Sequence, residues 1–345
     1  TMDYSMSYIT RGLISVALTL TCFTAQAHMK WFGHFDLTAD PIPLSDILNT
    51  SFLILLALAT SAVFVVSVID QAWGMQSAQV FLKRYLLPHQ DYATLLIRIS
   101  TGIFFFGLWL QGKMILTPEI ARSDEVFVDA VQLTIAAATL CPRLCYVAGM
   151  GILSLYGYGI HLHGAFHLLD YLFFVGFALY LIWISIPLYD RSAALTILYV
   201  TLTWSLMWGA MEKFSYPHWY FPLLEQKPYL TLGLDREAFV RIAGFVELTL
   251  AFLLLFSRNM LLITAIMLNG IFIAATVDFG KVDAVGHLLI MATLVVMCVE
   301  GPSKHVLALV SATGLIRSVQ LAGFFAVGSL SLLALYHILR FGLCA

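Results

Sequence analysis

Apolar residues fall in ten long blocks along this chain, and polar residues collect in the turns between them. The blocks lie at 50–69, 92–112, 126–140, 146–162, 164–185, 193–213, 239–256, 260–278, 283–300 and 319–340. None alternates with period two, so the pattern predicts helices and argues against a membrane β-barrel. Continuous apolar blocks near 20 residues long suit helices that cross a bilayer and satisfy their own backbone groups. The expected fold class is therefore all-α: a polytopic membrane helical bundle.

The blocks also repeat. Residues 131–135 (VQLTI) return as 246–250 (VELTL), and 163–169 (HGAFHLL) return as 283–289 (DAVGHLL). Two four-helix units follow, 92–185 and 193–300, running in the same direction. The block 50–69 precedes them and 319–340 follows. Polar groups recur at the same place in each unit, although burying them in lipid costs several kcal/mol.

Residues 1–27 read as a signal peptide: Arg11, an apolar stretch at 13–24, then Ala25-Gln26-Ala27 as a cleavage site before His28. The alternative is an uncleaved first transmembrane helix. Residues 28–49 are polar and aromatic and are expected outside the membrane, in the periplasm. Residues 71–91 are expected to form a cytoplasmic linker, and 214–238 an outer loop. Lys83, Arg84, Arg143, Arg191, Arg258, Lys304 and Arg317 then fall on one side, the cytoplasm by the positive-inside rule. The expected location is the bacterial inner membrane.

Composition agrees. Hydrophobic residues are 61% of 345 and charged residues 11%, against about half and a quarter in soluble domains. A net charge of -2 without a basic stripe excludes nucleic acid as a partner. Five cysteines build no dense disulfide framework. Only Cys141 and Cys145 are close in sequence, at the cytoplasmic end, where thiols stay reduced.

Three further groups of residues carry candidate chemistry. On a continuous helix His163, His167 and Asp170 share one face, a set suited to a divalent metal or redox cofactor, to hydrogen bonding with backbone or water at the interface, or to proton transfer. Asp283 and His287 form the matching pair in the second unit, with Asp278 nearby. Glu247 reaches the same depth, as do Glu212 and Lys213. These groups suit a cation or a quinone headgroup, or neutralise one another as a structural network. If cleavage occurs before His28, that residue with His34 offers a nitrogen-rich site for copper. The alternative there is plain packing through Trp31, Phe32 and Phe35.

The spacing Arg98...Gly102...Gly107...Lys113, with Gln132 in the second span and His163 and His167 opening the fourth, resembles the DoxX-like membrane proteins. Gly209...Lys213, Glu247 and His287 repeat the pattern, without an arginine matching Arg98. The resemblance implies two tandem four-helix units. Relatives include a subunit linked to thiosulfate:quinone oxidoreduction, partners of enzymes of thiol oxidative stress, and chaperones or cargo adaptors. The leading expectation is a redox (quinone- or thiol-linked) or metal-handling membrane subunit. Lys113, Gln132, Lys213 and Glu247 would face a cofactor, and His163, His167, Asp170, Asp283 and His287 would hold a metal. The alternatives are a non-catalytic adaptor that binds a protein partner through 28–49 and 214–238, and a transporter of an ion or small solute.

Overall fold

The computed structural model describes residues 36, 39–72, 92–112, 114–121, 126–187 and 190–343. The proposed signal peptide, His28, His34, Lys113, residues 73–91 of the linker and the Asp278 side chain lie outside the described residues.

Ten helices account for the ten apolar blocks. They are α1 (Thr50–Ala72), α2 (Tyr92–Gln111), α3 (Val126–Ala138), α4 (Cys145–His163), α5 (Ala165–Ile184), α6 (Arg191–Ser215), α7 (Arg236–Phe256), α8 (Leu261–Phe279), α9 (Lys281–Glu300) and α10 (Gly314–Leu343). Seven of them, all but α3, α4 and α8, are long and apolar enough to cross a membrane. The chain is an all-α polytopic bundle, and the one β-type pairing among the described residues is an isolated bridge between Met114 and Ala121.

Helices α6 and α7 start at side-chain caps. Asp190 accepts from Ser192 N and Ala193 N to open α6, and Asp235 accepts from Glu237 N and Ala238 N to open α7. The α7–α8 turn is capped from a distance. The Asp70 carboxylate, at the end of α1, accepts from the backbone N–H groups of Arg258, Asn259 and Met260 at 2.6–2.9 Å. A buried anion there satisfies the free donors at the start of α8 and complements its dipole.

Helices α2 to α9 pack in chain order, each on the next, and α9 closes on α2. The eight form one ring. Helices α6 and α9 also touch across it, so the ring is pinched. Both halves feed one apolar core, in which Phe104 of α2, Phe174 of α5, Leu198 of α6 and Leu289 of α9 are almost wholly buried. Outward positions such as Ile103, Leu110, Val277 and Val327 are exposed and apolar, as a lipid-facing surface requires.

Helices α1 and α10 pair with each other and lie against α6 and α7 outside the ring. Phe52 of α1 wedges between Phe214 and Phe245, with ring centroids 5.2 and 4.9 Å away. Phe325 of α10 meets Phe252 edge-on at 5.3 Å.

Candidate functional site

The chain between α2 and α3 does not stay outside the ring. Met114, Ile115, Leu116, Thr117 and Ile120 are buried. Irregular backbone at that depth needs partners inside the protein. Gln132 of α3 supplies them: its Nε2 donates to Met114 O at 2.8 Å and Ile115 O at 3.1 Å. Ile115 N donates to Ile120 O at 2.9 Å. The amide nitrogen of Gln132, expected to face a cofactor, is thus engaged in holding this loop.

The loop turns Glu119 inward, its side chain fully buried. Glu119 Oε1 lies 3.1 Å from His167 Nε2, and the Tyr171 hydroxyl donates to Glu119 Oε2. Glu119 gives little signal in the sequence: it is one carboxylate in a turn that also carries Lys113, Arg122, Asp124 and Glu125.

The structure corrects the expectation that His163, His167 and Asp170 share one continuous helix. Gly164, at φ 84°, breaks it: His163 ends α4, His167 lies in the first turn of α5, and Asp170 sits in a 3-10 turn (Leu169–Tyr171) within α5. Glycine adopts that φ without a Cβ clash. The imidazoles remain neighbours, with ring centroids 6.2 Å apart, and His163 Nε2 contacts Ala121 O at 3.2 Å. In the second half the corresponding break, at Gly280 (φ 77°), falls before Asp283. Asp283 and His287 therefore do share a helix. Their Oδ2 and Nδ1 are 3.1 Å apart, both side chains are almost wholly buried, and His287 lies against the Phe272 ring at 4.7 Å.

The two halves meet at Gly209 of α6. A Cβ there would stand 3.6 Å from Asp170 Oδ1 and 3.9 Å from Glu247 Oε1, so carboxylates from opposite halves flank the same bare backbone. Glu247 Oε2 pairs with Lys213 Nζ at 2.6 Å, both buried. The Lys213 ammonium also sits 5.4 Å above the Tyr220 ring, and the Tyr220 hydroxyl donates to Glu212 Oε1 at 2.8 Å.

A second residue missed in the sequence is Arg340 of α10. Its Nε donates to the Tyr216 hydroxyl and its Nη2 to Ala39 O, both at 3.0 Å, and its guanidinium stacks 5.8 Å from the Phe166 ring. A helix outside the ring thus completes the site. His163, His167, Asp170, Trp208, Glu212 and Arg340 line a cavity of about 50 Å³. That is room for one or two water molecules at about 30 Å³ each.

Among the described residues no three His, Cys, Asp or Glu side chains group as ligands for one metal ion. Cys141 and Cys145 are free thiols at the other end of the ring, where Cys145 Sγ donates to Cys141 O at 3.6 Å. No family model, curated protein or solved structure matches the chain.

Proposed function

We propose that this chain is a membrane subunit that takes up and releases protons at the cluster around Glu119, for a redox partner of the quinone- or thiol-linked class. The reading accords with the resemblance to DoxX-like proteins, whose kinship is part of the proposal. One observation carries it: acid and imidazole side chains from both halves, with Arg340 of α10, line a single water-sized cavity in a membrane bundle. Ionisable groups in such places are costly and usually functional. Glu119 lies between an imidazole and a phenol. A proton can pass among the three, while Asp170 and Glu212 line the cavity beside them.

A quinone ring does not fit this cavity. The neighbouring crevice between α6, α7 and α10, about 470 Å³, is apolar. Its polar groups are already engaged: Trp204 Nε1 donates to Leu169 O and Ser329 Oγ to Phe325 O. The chain would therefore supply the proton side of the chemistry.

The test uses native membrane vesicles, which carry the whole chain with its redox partner, and a soluble pH-indicator dye, read while added ferricyanide takes the two electrons of a short-chain quinol. His167→Gln and Asp170→Asn should slow proton release about 100-fold, the low end of a positioned acid–base group's contribution. Wild-type rates at matched protein levels would refute the proposal.

A second reading, the non-catalytic adaptor, is favoured by Tyr229, Leu232 and Leu234, exposed on the segment joining α6 to α7. Under it, Tyr229→Asp and Leu232→Asp abolish function and the two cavity variants do not.

A further inference from the structure

The arginine of the repeat pattern takes no part in the cluster. Arg98 lies on α2 toward the opposite end of the ring. It reaches across to α3, where Nε donates to Thr139 O at 2.9 Å and Nη2 to Leu140 O at 2.8 Å. These partners are neutral carbonyls. Among the described residues no carboxylate pairs with Arg98. Its charge is therefore uncompensated within the described fold, although the side chain is half-buried.

Arg98 also stands at the edge of a large hollow. A groove of about 640 Å³ runs between α2 and α3 on the lipid-facing surface, lined by Leu95, Ile99, Phe106, Leu133 and Ala137 with Arg98. From Leu95 to Phe106 it follows α2 for about 16 Å, at 1.5 Å per residue. That is about half of the ~30 Å hydrocarbon core, the depth of one leaflet. An apolar channel one leaflet deep, with an unneutralised guanidinium near one end, has the shape and polarity of a lipid with an anionic head. A guanidinium fork also matches phosphate oxygens. The exposed Arg143, three residues beyond Leu140, adds a second positive charge at that end.

We propose that this groove holds one anionic glycerophospholipid, its phosphate on Arg98 and an acyl chain along α2 and α3. The second half lacks the arginine, so the site belongs to the first half alone. It is independent of the proton cluster.

The experiment is native mass spectrometry of the delipidated full chain, titrated separately with dioleoylphosphatidylglycerol and dioleoylphosphatidylcholine. Wild type should retain one phosphatidylglycerol with about a five-fold preference, the effect of one basic residue on an anionic lipid. Arg98→Gln should lose the preference. Because Arg98 also caps α3, that variant's helix content is checked by circular dichroism. Ala137→Trp fills the groove from the exposed side and leaves Arg98's contacts in place; it should lose the bound lipid. Equal retention of the two lipids by wild type, or a phosphatidylglycerol adduct that survives Ala137→Trp, would overturn the proposal.

Discussion

Lys213 and Glu247 show what a buried charge demands of its neighbour. They lie 2.6 Å apart with side chains 3% and 6% exposed. Removing one partner leaves the other charge uncompensated in a low-dielectric interior, a loss of about 3–5 kcal/mol. Replacing both by methionine removes the desolvation penalty together with the attraction. Thermal unfolding in detergent should show Glu247→Gln and Lys213→Met strongly destabilised and the double Met variant far less so. Single variants no worse than the double would mean the pair is not the unit. Residues of this kind were legible in the sequence, since an ionisable side chain inside an apolar block stands out. Glu119 and Arg340 were not. A carboxylate in a turn is ordinary, and an arginine near the end of a long helix usually reaches back to water. What turns both inward is non-local: the carbonyls held by Gln132, and the docking of α10 on α6 and α7.

At the scale of elements, the ten helices follow the apolar blocks within a few residues, because length and hydropathy are written locally. The break between α4 and α5 was visible only as a glycine in HGAFH, a residue helices often tolerate. Its backbone angle decides which side chains share a face. The seam between the halves, where α5 meets α6, is similarly hidden. It depends on Gly176, where a Cβ would fall 1.7 Å from Thr201 Oγ1 and 2.8 Å from Thr201 Cβ. Gly176→Ala should cost about 1–3 kcal/mol by overpacking. Adding Thr201→Ala removes the closer clash and should recover part of the loss in the same unfolding assay. No recovery would place the cost elsewhere than at this seam.

Helices α2 to α9 close into a ring, and that could not be read from the repeat. Two similar units imply similar folds, yet which helix closes on which is decided by shape at distant positions. A Cβ on Gly107 of α2 would lie 3.5 Å from Val285 Cγ1 of α9. Gly107→Cys with Val285→Cys, in a background without native cysteines, should therefore form a disulfide on mild oxidation. With the chain divided between α5 and α6 and the halves co-expressed, the product migrates at the mass of the joined chain. Two separate bands after oxidation would mean that α9 does not close on α2.

Closure has a consequence for how the protein is made. Helix α2 enters the membrane early, but its partner α9 is synthesised only after six other helices. At about 5–20 residues per second the wait is on the order of ten seconds or more. Until then the Gly107 face of α2 has only lipid or an assembly factor against it, and the bundle stands open along one side. The ribosome finishes the wall before the ring can shut, so the nascent protein passes through a stage in which its future interior is in contact with the bilayer.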